Sequence, residues 1–168
     1  MFNLLIVCMG NVCRSPMAQA VLGKLIAEAG LPHRVQVKSA GTHASRNGEK
    51  VDARVTTALA KRGYNTNDFR SRRVTSTDFE LYDMILAMDS ETLANLAAVC
   101  PANLHQKLRL FMHFSDAGSA QDVPDPYYGN PQGFEQVLDM CVSGSQSVLQ
   151  HLWQTDFAAN ASQHIAGT

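Results

Sequence analysis

Val7-Cys8-Met9-Gly10-Asn11-Val12-Cys13-Arg14-Ser15-Pro16 sets a thiol, a guanidinium, a hydroxyl and a turn-type glycine between two stretches of contrasting pattern. On its amino side, Phe2-Asn3-Leu4-Leu5-Ile6-Val7 is short, apolar and rich in branched residues, as a strand buried on both faces should be. On its carboxyl side, Ser15 is an N-cap type and Pro16 suits the first helical position. Val21, Leu22, Leu25, Ile26 and Ala29 then recur at helical spacing until Gly30 and Pro32 stop the helix. The segment from Cys8 to Ser15 therefore joins a strand's carboxyl end to a helix's amino end, where unpaired backbone N–H groups form a cradle for an anion.

A cysteine in that loop faces the helix dipole, and Arg14 adds a permanent positive charge. Such surroundings lower a thiol pKa from about 8.5 into the range of roughly 3.5 to 7.5, so Cys8 is expected to act as a nucleophile. Arg14 offers a planar fork to two oxygens of a phosphate, a geometry lysine lacks. Together they predict attack on phosphorus.

Cys8-x5-Arg14-Ser15 is followed in order by Ser39-Ala40-Gly41-Thr42, then Gly48, Asp52 and Arg54, then Met88-Asp89, and finally Asp125-Pro126-Tyr127-Tyr128-Gly129 with Phe134 and Glu135 behind it. The series resembles the low-molecular-weight protein tyrosine phosphatases, bacterial type, over nearly the whole chain. The resemblance implies hydrolysis of phosphotyrosine and other aryl phosphate monoesters through a cysteinyl-phosphate intermediate. In bacterial relatives a tyrosine kinase of a surface-polysaccharide system is one substrate, and the same class of partner is expected here.

At 168 residues the chain fits one domain, which should bury roughly two-thirds of its unfolded surface. Four cysteines are too few for a disulfide framework, Cys8-x4-Cys13 has no second pair to complete a zinc site, and six histidines stand at unrelated spacings. No metal or cofactor is expected. A net charge of −1 and a pI near 6.6 argue against nucleic acid or an anionic membrane as the main partner. The N-terminal apolar run is too short to span a membrane and lacks a basic flank and a cleavage site, so the expected compartment is the cytoplasm, where Cys8 stays reduced.

Further along, Val35 to Ala40 alternates as a second strand and Gly41 breaks it. The stretch Thr42–Val51, with His43, Arg46 and Lys50, reads as a solvated loop; in the family it walls the active-site mouth, commonly with a bulky apolar side chain where Ser45 stands. Asp52 can cap a helix that Gly63 ends. Phe69-Arg70-Ser71-Arg72-Arg73 is a basic cluster whose default reading is a solvated charge run. Family members often carry histidine near Phe69 to support the phosphate loop; phenylalanine cannot, so Asn11 is expected to be held differently.

Thr75 to Asp78 opens a short helix, Met84 to Met88 is a third buried strand, and Asp89 or Ser90 can cap the helix through Leu93 and Leu96 that Cys100-Pro101 ends. Capping and loop support are the expected roles of Asp89. Lys107 to Phe111 gives a fourth strand, and Cys100 and Cys141 read as buried apolar fillers. From Phe134, Val137, Leu138, Cys141, Val142, Val148, Leu149 and Leu152 trace one helical face, with Ser143-Gly144-Ser145 weakening the middle. The expected fold is a single-domain α/β unit over residues 1–157: a central four-stranded parallel sheet, helices on both faces, and the active site at the carboxyl ends of the strands. Residues 158–168 form a frayed tail.

Phosphate ester cleavage needs a proton for the leaving oxygen, and Asp125 is the candidate because Pro124 and Pro126 stiffen the loop carrying it. Tyr127 and Tyr128 are expected to flank an aromatic leaving group, with Met9 at the pocket rim. Ser15 should donate to the Cys8 sulfur; Gly10 and Asn11 tolerate positive φ; Met9 and Val12 should supply backbone donors, completing a phosphate cradle that includes Cys13. Cys13 either fills space or traps oxidised Cys8 as a disulfide, the role the resemblance implies.

Two rivals share the fold. Arsenate reductase needs a relay of further cysteines, and only Cys100 lies between the two motifs. Protein-arginine phosphatases tend to carry threonine where Val12 stands and lack the paired tyrosines. Phosphotyrosine is the preferred substrate on both counts.

Overall fold

The computed structural model describes residues 1–44, 47–66, 69–115, 121–127 and 129–157. Ser45, Tyr128 and the tail from Ala158, each given a role above, lie outside the described residues. In chain order the elements are β1 (Phe2–Cys8), α1 (Arg14–Glu28), β2 (Val35–Gly41), α2 (Ala53–Lys61), α3 (Ser76–Leu81), β3 (Met84–Ala87), α4 (Ser90–Val99), β4 (Leu108–Leu110) and α5 (Pro131–Leu152).

The four strands are parallel and lie side by side as β2-β1-β3-β4. β1 takes a central place because both its faces are apolar: Leu4, Leu5, Ile6 and Val7 have no exposed surface, each burial being worth roughly 1.5–3 kcal/mol. Leu4 and Ile6 join one core with residues of α1, α2 and α5, while Leu5 and Val7 join another with Phe79 of α3 and Leu96 of α4. The chain is thus a single-domain α/β fold with helices on both faces of the sheet. Cys8 pairs with Gly41, Val7 with Ala87, and Ala87 with Leu110, so the strands finish along one edge.

Two boundaries differ from expectation. α1 begins at Arg14 with Cys13 as its N-cap, so Ser15 sits inside the helix; its hydroxyl is committed to the loop and caps nothing. β4 is only Leu108–Leu110, because 3-10 turns at Ala102–Lys107 and Phe111–Phe114 occupy its flanks. α5 runs without interruption through Ser143-Gly144-Ser145. A Cβ at Gly144 would overlap the Phe111 ring and lie 2.8 Å from Met112 Sδ, so the glycine expected to weaken the middle of the helix also permits close packing there.

Candidate active site

β1 delivers Cys8 to the sheet edge, and the chain turns from Met9 to Cys13 into α1. Asn11 makes the turn at φ 56°, a left-handed conformation asparagine tolerates. Gly10, expected to share that freedom, has no positive φ among the described glycines that do. The neighbouring strand approaches closely: a Cβ on Gly41 would sit 2.6 Å from the Met9 carbonyl oxygen. Thr42 N–H donates to Cys8 O at 3.0 Å and His43 N–H to Met9 O at 2.9 Å.

The Cys8 sulfur is buried, 3.0 Å from Ser15 Oγ, and accepts from the Asn11 N–H at 3.3 Å. Asn11 Nδ2 donates to Ser15 Oγ at 2.9 Å and to Ser39 Oγ at 2.8 Å, while its Oδ1 accepts from the Arg72 backbone N–H at 2.9 Å. Asn11 is held without a histidine, by a main-chain donor. That donor is fixed in turn by Arg72, whose guanidinium reaches both Asp78 oxygens at 2.9 and 3.0 Å. Arg72 is therefore a paired cation within what the sequence presents as a solvated run.

Arg14 is almost completely buried. Its Nη1 donates to Asp89 and, at 3.0 Å, to the Val123 carbonyl; its Nη2 donates to Asp125 Oδ2 at 3.2 Å. Asp89 also caps α4 through the Thr92 N–H at 2.6 Å. Burial pushes the Asp89 carboxyl upward, but the Thr92 and Arg14 bonds outweigh it and hold the group below the usual carboxylate range. The Val123 N–H bonds to Met88 O at 2.8 Å, which fastens the Asp125 loop to the end of β3. Asp125 Oδ1 accepts from the Tyr127 N–H at 3.0 Å.

These groups share a cavity of about 540 Å³ lined by Cys8, Met9, Gly10, Val12, Cys13, Arg14, His43, Glu49, Asp125 and Tyr127. Residues 3–156 match the family described as low molecular weight phosphotyrosine protein phosphatase. The chain belongs to that family. It is 38% identical over 151 residues to the low molecular weight protein-tyrosine-phosphatase of Streptomyces coelicolor, spanning 88% of this chain and 92% of that one. Among solved structures, it is similar to a protein tyrosine phosphatase from Entamoeba histolytica, with a TM-score of 0.88 and 36% identity over 94% of this chain and all of that one. It is also similar to the YwlE arginine phosphatase from Geobacillus stearothermophilus, with a TM-score of 0.80 and 27% identity over 92% of this chain and 94% of that one. As a family member the chain is a hydrolase of the protein-tyrosine-phosphatase class, and its substrates are phosphoproteins.

Within this phosphatase fold, Met9 and Tyr127 are the exposed apolar members of the cavity wall. Arg54 braces Tyr127, donating to its carbonyl at 3.0 Å and lying 5.3 Å from its ring and 4.7 Å from that of Phe134, while pairing with Asp52 at 2.7 Å. His43 and Glu49 also line the cavity. Both belong to the Thr42–Val51 stretch that the family resemblance places at the wall of the active-site mouth; Glu49 carries no signal of its own, because a lone glutamate in a polar stretch reads as surface.

The other thiols differ from Cys8 in surroundings. Burial first, then the Asp52 and Asp125 charges, pushes the Cys13 thiol up to about 12, so it stays protonated. Burial also raises Cys141 and Cys100, both of which fill apolar space. Cys100 belongs to the core on the other face of the sheet from Cys8, which is no position for the relay an arsenate reductase needs. No group of three or more His, Cys, Asp or Glu among the described residues is placed to hold a metal ion, and none of their helices is long and apolar enough to cross a membrane.

Proposed function

We propose that Cys8 attacks the phosphorus of phosphotyrosine in proteins, forming a sulfur–phosphorus bond as the bond to the phenolic oxygen breaks. Asp125 gives its proton to that oxygen; as a carboxylate it then takes a proton from the water that attacks phosphorus, releasing inorganic phosphate and regenerating Cys8. The observation that carries this reading is the sharing of one cavity by the Cys8 sulfur, the buried Arg14 fork and Asp125, with Arg14 Nη2 bonded to that same carboxylate. Phosphate oxygens compete with Asp125 for Nη2, freeing the carboxyl to face the leaving group. Ser15, 3.0 Å from the sulfur, donates to it both as nucleophile and as leaving group. The backbone from Met9 to Cys13 supplies the remaining phosphate donors.

Tyr127 and Tyr128 flank the aromatic ring of the substrate, and Val12 supports the preference, since its methyl groups cannot hydrogen-bond a phosphorylated guanidinium. Residues 1–157 form the catalytic domain, with 158–168 as its tail. The enzyme acts in the reducing cytoplasm, a tyrosine kinase of a bacterial surface-polysaccharide system being its partner by analogy with bacterial relatives. Under peroxide, the sulfenic acid on Cys8 condenses with the Cys13 thiol, losing water and forming a reducible disulfide.

Hydrolysis of an aryl phosphate and a phosphotyrosine peptide, set against a phosphoarginine peptide, tests the reading in wild type, Cys8→Ser and Asp125→Ala. Wild type should prefer the tyrosine substrate, Cys8→Ser should be inactive, and Asp125→Ala should lose about 10²-fold or more. Undiminished turnover by Cys8→Ser would overturn it. Faster phosphoarginine cleavage would move the enzyme to the neighbouring specificity.

A further inference from the structure

Arg54 stands on the first turn of α2 and lines the groove between α2 and the start of α5 rather than the Cys8 cavity. Its guanidinium nevertheless joins the two loops that meet at that cavity. Asp52 holds it with both oxygens, Oδ1 accepting from Nε at 3.0 Å and Oδ2 from Nη2 at 2.7 Å. Asp52 is itself tied to the phosphate loop, because its N–H donates to Val12 O at 2.9 Å. On the other side, Nη1 donates at 3.0 Å to Tyr127 O, in the loop that carries Asp125. The same guanidinium lies 5.3 Å from the Tyr127 ring and 4.7 Å from the buried ring of Phe134, so it grips Tyr127 by carbonyl and ring together.

An exposed ion pair adds little stability, so the value of this one is the direction it imposes. A planar fork bound at three nitrogens has a fixed orientation, which a lysine ammonium would lack. What it orients is the partner of the candidate acid. The Tyr127 N–H donates to Asp125 Oδ1 at 3.0 Å, and the Gly129 N–H closes the turn onto Pro126 O at 3.0 Å. Asp125 Oδ2 rests on Arg14 Nη2 at 3.2 Å. Once a phosphate takes that nitrogen, the Tyr127 N–H is the one of these two contacts left to aim the carboxyl, and Tyr127 is held by Arg54.

We propose that Arg54 is a positioning residue for proton transfer, a role that rests on Asp125 being the general acid. By fixing Tyr127, Arg54 keeps the Asp125 carboxyl directed at the phenolic oxygen while the bond to phosphorus breaks and the proton passes to that oxygen. Arg54 itself, outside the cavity, touches neither the phosphate nor the leaving group.

The test is kcat/KM on aryl phosphates whose leaving phenols differ in acidity, since this quantity reports the step that breaks the phenolic P–O bond. p-Nitrophenol is acidic and departs with little help, whereas phenol needs the proton. Arg54→Met keeps a long stem beside Phe134 and leaves the α2 cap, which Asp52 makes at 2.8 Å to the main-chain N–H of residue 54. It should lose about tenfold on phenyl phosphate and at most about twofold on p-nitrophenyl phosphate. The ratio of the two rates in one preparation does not depend on the folded fraction, so equal losses on both substrates would mark a merely structural role and overturn the proposal. Added to Asp125→Ala, Arg54→Met should change phenyl phosphate cleavage by no more than about twofold; a further tenfold loss would also overturn it. Asp125→Ala alone is the control. If it slows both substrates equally, the acid assignment falls and takes this role with it; if it is selective and Arg54→Met is not, only the role of Arg54 falls.

Discussion

Asp89 serves two masters with one carboxylate: Oδ1 accepts from the Thr92 N–H at 2.6 Å at the start of α4, and Oδ2 accepts from Arg14 Nη1. The orientation of the Arg14 fork is thus set by the end of β3 as much as by the loop that carries it. Removing Asp89 strips a helix cap, worth about 1 kcal/mol. It also leaves a nearly buried guanidinium with Asp125 as its remaining carboxylate partner.

Asp89→Ala should therefore lower unfolding free energy by about 3 kcal/mol, the lower end for a broken buried pair, in urea titrations. Asp89→Asn keeps an oxygen for Thr92 but not the charge for Arg14. It should recover much of the stability while aryl phosphate turnover stays depressed. Equal rescue of both would assign Asp89 to capping alone.

The Arg72–Asp78 pair predicts a pH effect on the acid side. Burial pushes the Asp78 carboxyl upward, but bonds from Arg72 and Thr75 outweigh it and hold the folded value below the ordinary one. A depressed folded pKa gives stability that is fully present above the unfolded value, about 3.9, and is lost as pH falls through the folded value. Asp89 contributes with the same sign. Wild-type urea midpoints should fall steeply below about pH 4. Asp78→Asn should start lower at pH 7 and fall less, so the gap between the two proteins narrows toward pH 3. A constant gap would show that Asp78 does not gain stability from ionisation.

What the sequence makes legible here is local. The β1–loop–α1 unit, the caps at Asp52 and Asp89 and the stop at Gly30 each depend on residues close together in the chain, and the described structure has them. What was missed depends on partners distant in sequence. Gly144 reads only as a weak point in the final helix until Phe111 is placed against it. The strand order β2-β1-β3-β4 has no local signature. The anchor for Asn11 is a backbone N–H, which any residue but proline supplies, so no side-chain identity could announce it.

That anchor leads to a separable pair of variants. Asn11 combines a left-handed backbone with three side-chain hydrogen bonds, to Ser15, Ser39 and the Arg72 N–H. Alanine loses the bonds and adds the steric cost of φ 56°; glycine loses the same bonds but accepts the backbone. Asn11→Gly should thus be more stable than Asn11→Ala by about 1 kcal/mol in urea unfolding. Both should lose aryl phosphate turnover to a similar degree, by about tenfold or more if the net worth of two of those bonds is felt at Cys8. If glycine instead restored wild-type turnover, the backbone turn alone would shape the loop, and the Ser39–Asn11–Ser15 chain would have no part in presenting the sulfur.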